Sequence, residues 1–284
     1  MIDFNFIWIT LVAIIGLNLL FFAIAFFLQK DYFTDLTYSL SFIFSVCFNF
    51  WYGFKQFNIL KLIVLILVNL WALRLLTYLL TRILKIKIDH RFDNFRHSAL
   101  KFLGFWIAQG FLCFLLTLPV NFLLNLNFKF NNISYLNLGL IIGFVFLWAI
   151  GFLIESFADQ QKFNFINKNK NKLLNIKLWK ISRHPNYFGE LLQWYMLFAI
   201  ALLMLLTTNF KNINFCYILL IISPLFLNIS LLFWSGLPKL ESSLYKRFKN
   251  ETNYQEYIKK TSIIIPFIGK KNHIYKIRKQ LKQK

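Results

Sequence analysis

The sequence predicts an all-α, polytopic membrane protein with about seven transmembrane helices and an amphipathic C-terminal segment on the cytoplasmic side. Two observations carry this. Of 284 residues, 58% are hydrophobic, 20% aromatic and only 15% charged, whereas soluble domains average about 45–50% apolar and about 25% charged. The apolar residues also fall into seven runs of about 20, the number of helical residues that crosses a hydrocarbon core about 30 Å thick.

The runs extend from Phe6 to Leu28, Leu36 to Phe54, Leu60 to Leu80, Phe102 to Leu124, Leu136 to Phe157, Tyr187 to Leu206 and Phe215 to Trp234. The first has no basic flank and no small-residue cleavage site, so it is expected to stay as a span rather than leave as a signal peptide. With no internal repeat and no long linker, residues 1–284 read as one integral membrane domain. The absence of inverted repeats and paired broken helices argues against a transporter.

Orientation follows from the basic residues, which gather in cytoplasmic loops. Six lie after the third run (Arg82, Lys85, Lys87, Arg91, Arg96, Lys101), seven between Lys162 and Arg183, and thirteen after Trp234. With Lys30 this places 27 on one side, against Lys55, Lys61, Lys129 and Lys211 on the other. The N-terminus is therefore expected outside and the C-terminus in the cytoplasm. The net charge of +21 reads as attraction to anionic lipid headgroups, not to nucleic acid, because the cations cluster where loops meet the membrane.

Much chemistry is missing. No strand-period segment precedes a glycine-rich loop, so no Rossmann or P-loop site is available. Cys47, Cys113 and Cys216 are far apart and read as apolar fillers, while His90, His97, His184 and His273 are scattered, so no metal site is expected.

Ionisable groups inside spans cost about 2.5–3.5 kcal/mol or more at mid-membrane and are functional candidates. Arg74 lies in the third run with Trp71, Tyr78 and Arg82 on the same helix face; Arg82, nearer the end, reads as reaching for headgroups. At the end of the fifth run Glu155, Asp159 and Lys162 share a face. Two acids at a helix C-terminus oppose the helix dipole, a cost that a polar ligand or a basic partner would remove. Ser182 to Glu190, SRHPNYFGE, is the most informative segment. Pro185 suits a first helical turn, and the helix start with Arg183 and His184 forms an anion site. Asn186, Tyr187, Glu190 and Trp194 then line the inner face, and proton-transfer candidates reduce to Tyr187, Glu190, His184 and Tyr78.

The stretch Asn167 to Asn175, NKNKNKLLN, reads as a solvated connection. In the tail, Gly236-Leu237-Pro238 breaks the chain. Leu240, Leu244, Tyr254, Tyr257 and Ile258 are then spaced for one or two amphipathic helices, which either lie on anionic lipid or cover a bound cofactor.

Three segments together resemble the steroid 5-alpha-reductase superfamily of membrane reductases, most closely its DUF1295 branch. They are Glu155-x-x-Ala158-Asp159-x-Gln161-Lys162, the run Ser182 to Glu190, and Ser235-Gly236-Leu237-Pro238-x-Leu240-Glu241 continuing through Tyr254-x-x-Tyr257 to Thr261-Ser262-x-x-x-Pro266. Arg74-x-x-x-Tyr78 with Arg82, and Asp89-x-Arg91-Phe92, match more weakly, so the likeness covers about residues 70–268. It implies a seven-helix membrane enzyme that binds NADPH and transfers hydride to a carbon–carbon double bond conjugated with a carbonyl, in a lipophilic substrate entering from the bilayer. Cofactor contacts implied in this way are Arg74, Tyr78, Asp159, Arg183, His184, Asn186, Tyr187, Glu190, Tyr254 and Tyr257, with Tyr187, Glu190 and Tyr78 as catalytic candidates. The steroid-reducing members carry a glutamate in the second span and a tyrosine where Trp71 stands here; the second run holds no acid, so a steroid ketone is not the expected substrate. The RHPxYxGE element also occurs in isoprenylcysteine and phospholipid methyltransferases, which keeps S-adenosylmethionine as the alternative cofactor. The implied location is the inner membrane of a bacterium or the endoplasmic reticulum of a eukaryote.

Overall fold

The computed structural model describes residues 4–30, 32–54, 57–86, 98–130, 133–169, 171–207, 213–234 and 236–268. The Asp89, Arg91 and Phe92 element, Ser235, the loop cations Lys55, Lys87, Arg96, Lys170 and Lys211, and His90, His97 and His273 lie outside them, as do the basic residues beyond Ile268.

Apolar runs of this length become helices because only a helix satisfies its own backbone in hydrocarbon. In chain order they are α1 (Asn5–Leu28), α2 (Tyr32–Tyr52), α3 (Ile59–Ile86), α4 (Ala99–Asn125), α5 (Tyr135–Lys168), α6 (Pro185–Thr207) and α7 (Ile213–Ile229), followed by α8 (Leu237–Phe248) and α9 (Thr252–Lys260). A single 3-10 turn, Lys177–Lys180, precedes α6, and a π-turn, Ser230–Trp234, follows α7. Among the described residues six helices are long and apolar enough to cross a membrane, against seven expected.

The difference is α2. Its 21 residues would reach about 31 Å at 1.5 Å per residue, but Thr34, Thr37, Ser39, Ser41, Ser45 and Asn49 dilute its apolarity, and all six are buried. The chain forms two compact units, Met1–Phe144 with Leu197–Pro224, and Val145–Met196 with Leu225–Lys284. In the first, α2 packs against α1, α3 and α4, and α1 against α4. There Ser41, Ser45 and Asn49 of α2 meet polar residues of α1 and α4 and form a hydrogen-bonded ladder. Asn18 of α1 donates to Ser41 at 3.0 Å, and Gln109 of α4 donates to Asn18 at 3.3 Å. Further along, Ser45 lies 2.9 Å from Thr117 and accepts from Asn121 at 2.9 Å. Asn49 donates to Thr10 at 2.8 Å and accepts from Asn125 at 2.9 Å. Each contact between spans is worth about 0.6 kcal/mol on average and about 1.7 at most, and each also removes the larger cost of an unpaired group.

Aromatic packing fills the rest of this unit. Ala25, Phe102 and Trp106 form one cluster with Phe22 and Phe26 against it, and Trp71 of α3 meets Phe42 of α2 edge-on at 4.9 Å.

Asn49→Ala is expected to lower the stability of the purified protein by about 1–2 kcal/mol, since it removes two contacts between spans. Leu73→Ala, at a half-exposed position of α3, should leave it unchanged. Thermal unfolding in one detergent compares the two, and equal melting temperatures would mean that the ladder carries no load.

Candidate functional site

The second unit gathers the three sequence segments of the resemblance. Its frame is the crossing of α5 and α6, where Gly151 faces Gly189. A Cβ on Gly189 would lie 2.6 Å from the Gly151 carbonyl oxygen and 2.7 Å from the Glu155 nitrogen, and one on Gly151 would lie 2.8 Å from the Gly189 oxygen. Both positions therefore require glycine, as in close helix crossings within membranes.

α5 runs to Lys168, so Glu155 and Asp159 stand in the body of a helix and not at its C-terminus. The expected dipole penalty does not apply to them, because the polar residues after Phe157 continue the helix. The two carboxylates are instead buried, at 4% and 6% exposure. Gln193 of α6 donates through Nε2 to Glu155 Oε2 at 2.7 Å and to the Gly189 oxygen at 3.1 Å. Those bonds use its amide protons, and the buried Gln193 Oε1 meets no donor among the described residues. The same holds for Asn186 Oδ1, two turns earlier on α6. Sequence reading missed Gln193, whose signal was its place at i+7 from Asn186.

α6 starts at Pro185, as its ring chemistry predicts. Ahead of it, Arg183 Nη1 donates to Glu241 Oε2 at 2.6 Å and His184 Nε2 lies 2.7 Å from Glu241 Oε1. Arg183 is 1% exposed. One carboxylate from α8 thus engages both basic side chains of the expected anion site, and Glu241 is the partner that the sequence left unassigned. The His184 ring stacks on Tyr187, with centroids 5.6 Å apart. Burial keeps the His184 imidazole below its ordinary pKa and so neutral near pH 7; the Lys162 and Arg183 charges act in the same direction, and Glu241 opposes them.

The tail is stitched to this loop along its length. The Arg183 nitrogen donates to the Ser262 oxygen at 2.8 Å, and Ser182 Oγ donates to the Ile264 oxygen at 2.7 Å. Thr261 Oγ1 donates to the Lys180 oxygen at 3.2 Å and Tyr257 OH to the Trp179 oxygen at 2.7 Å. Trp179 in turn donates through Nε1 to the Ala158 oxygen of α5 at 3.1 Å, with Lys162 Nζ 5.6 Å from its ring centroid. Tyr254 and Tyr257 are buried with Phe248 in a cluster packed by Leu173, Leu244 and Ile258. The apolar stripe of α8 and α9 is covered by protein there, and burial raises the Tyr257 phenol above its usual pKa so that it stays a donor.

Asp159, Arg183, His184, Asn186, Tyr187, Glu190, Tyr254 and Tyr257 all belong to this unit, whereas Arg74 and Tyr78 belong to the first. Asn186, Tyr187 and Glu190 are partly exposed on the first two turns of α6. In the first unit Arg82 is ion-paired, its Nη2 lying 2.9 Å from Asp35 Oδ2. This corrects two expectations. Arg82 is held by an acid instead of reaching freely for headgroups, and α2 does carry an acid, because the helix begins at Tyr32, one turn before the apolar run.

The sequence profile of DUF1295, described as a protein of unknown function, matches residues 21–261. The chain belongs to the DUF1295 family. Neither a curated protein nor a solved structure matches it. For this DUF1295 protein the match covers the first two segments in full and the third as far as Thr261.

Glu241→Gln should release the tail, because it leaves Arg183 buried without its charge partner, a loss of about 3–5 kcal/mol. Faster tryptic cleavage near Lys246 and Arg247 would register it. Acid should act likewise. His184 has a lowered folded pKa, so its contribution is present above the ordinary imidazole value of about 6.5 and is lost as pH falls through the lower folded value. Cleavage at low pH should therefore rise in the wild type relative to His184→Gln.

Proposed function

We propose that this DUF1295 protein is an NADPH-dependent membrane oxidoreductase of the steroid 5-alpha-reductase superfamily, reducing a carbon–carbon double bond conjugated with a carbonyl in a lipophilic substrate. The observation that carries the reading is the set of buried amide oxygens on α6, Asn186 Oδ1 and Gln193 Oε1, that lack donors among the described residues. Such a set suits a ligand that presents N–H donors in a dry site, and the carboxamide of a nicotinamide does so. NADPH would supply the hydride.

The chain's own groups divide the remaining work. Asn186, Gln193 and Asp159 would orient the cofactor's amide end. The Tyr187 phenol, held flat against His184, would polarise the substrate carbonyl and deliver the proton that balances the hydride. Glu190, one turn further along α6, would set the phenol's hydrogen bonding. Arg183 and His184 serve in this reading through Glu241, by fixing the tail beside the helix start; direct contact with a phosphate would require Glu241 to move. Tyr254 and Tyr257 act as the tail's apolar anchor. Arg74 and Tyr78 remain proposals from the resemblance. The excess of cations in the loops supports a cytoplasmic tail.

The methyltransferase reading draws on the same acceptors, which would also suit the sulfonium and amine of S-adenosylmethionine. The Glu155 to Lys162 element favours the reductase.

Titrating purified protein with each cofactor separately, and following tryptophan quenching, decides between them. Saturable NADPH binding, weakened about tenfold or more in Asn186→Ala and Gln193→Leu, is the expected result. Tyr187→Phe should then cut turnover of a lipophilic enone while leaving NADPH affinity within about twofold. Binding of S-adenosylmethionine alone would replace the reductase, and full activity in Tyr187→Phe would remove the proton donor.

A further inference from the structure

The Asn/Lys-rich connection after α5 does more than join two spans. Residues 171–180 form one wall of a cavity of about 660 Å³ whose other wall is α9 and the turn before it. That volume lies within the range of about 300–1,000 Å³ usual for small-molecule sites. Its charged lining is Lys172 and Lys180 from the loop, with Lys260, Glu251 and Glu256 from the tail, and Tyr257 is also in its wall.

Charge pairing inside the cavity is incomplete. Lys260 Nζ lies 3.0 Å from Glu256, one helical turn away, and those two satisfy each other. Among the described residues Lys172 and Lys180 make no ion pair. Glu251 is the N-cap of α9, yet its carboxylate makes no capping bond. The lining therefore holds two cations from the loop and one acid from the tail outside the Lys260–Glu256 pair, together with asparagines from both. Such a lining is complementary to a ligand with an anionic group at one end and a hydrogen-bond-donating cation at the other. The loop that forms one wall connects α5 to α6, both long and apolar enough to cross a membrane.

We propose that this cavity binds a phosphate ester of a primary amine, the phosphate held by Lys172 and Lys180 and the ammonium by Glu251. This chemistry is shared by an aminophospholipid headgroup and free phosphoethanolamine. The groups that would hold this ligand, Lys172, Lys180 and Glu251, are not among those assigned to the cofactor above; the two readings share only Tyr257, in the cavity wall. Its occupant would brace the tail, because Tyr257 and Thr261 of the cavity wall make the bonds to Trp179 and Lys180 that dock α9 on the loop.

The full chain in detergent is titrated calorimetrically with phosphoethanolamine, inorganic phosphate and ethanolamine. In parallel, nanodiscs of phosphatidylcholine, with or without phosphatidylethanolamine, are digested with trypsin and cleavage of the tail is timed. Phosphatidylcholine keeps the phosphate but has no N–H donor for Glu251, so it is the matched control. Binding of free phosphoethanolamine, weakened about tenfold in Lys172→Ala/Lys180→Ala, supports the proposal with a soluble source. Slower cleavage only with phosphatidylethanolamine, abolished by the same variant, supports it with a lipid source. Glu251→Gln should reduce phosphoethanolamine to the affinity of inorganic phosphate, and Lys168→Ala, outside the cavity, should change nothing. Neither probe acting, or the double variant behaving as wild type, would overturn the site. NADPH titration of the double variant separates the two readings, since it should bind cofactor normally.

Discussion

One carboxylate organises the second unit. Glu241 accepts from Arg183 and meets His184, and it does so from a helix 57 residues further along the chain. A buried guanidinium without an acid is among the costlier arrangements in a protein, so the fold keeps α8 against the start of α6 whenever Arg183 is in place. The backbone pairing of Ser182 and Arg183 with residues 262–264 follows from that clamp. So does the burial of Tyr254 and Tyr257, which on an undocked α9 would expose two aromatic rings to water. A neutral His184 is part of the same arrangement, because a second charge beside Arg183 would compete for the one carboxylate.

The first unit solves a different problem. A helix as polar as α2 has little drive to leave water, and its Ser, Thr and Asn side chains are tolerable in hydrocarbon only when they are paired. The pairing partners lie on α1 and α4 at matched spacing, so one helix's weakness is compensated by two neighbours. Short side chains also let the helices approach closely.

This division explains what could be read from the sequence. The start of α6 was legible because proline's fixed φ and missing N–H act locally. The shared face of Glu155 and Asp159 was legible because helical periodicity is also local. The role of Glu241 was not, since nothing near it in sequence signals a partner 57 residues away. Asp35 lies just ahead of the second apolar run, although the helix includes it; hydropathy marks where hydrocarbon begins, and a helix starts where its first turn can be capped or solvated. Gln193 carried no weight because amides are common in this chain, and its significance rests on a geometry that consumes its amide protons and leaves its oxygen buried.

Neutral and ionisable groups in these two units therefore carry different implications. Amides and hydroxyls that pair with one another across spans are inexpensive to keep and are explained by packing alone. Buried carboxylates cost more, because the penalty for a charge in a low-dielectric interior is larger than that for an amide. Glu155 receives such a bond from Gln193, and Asp159 is nearly as buried one turn further along α5. The presence of two acids beside acceptors that lack donors is accordingly a stronger mark of a binding site than the whole polar ladder, even though the ladder contains more polar atoms.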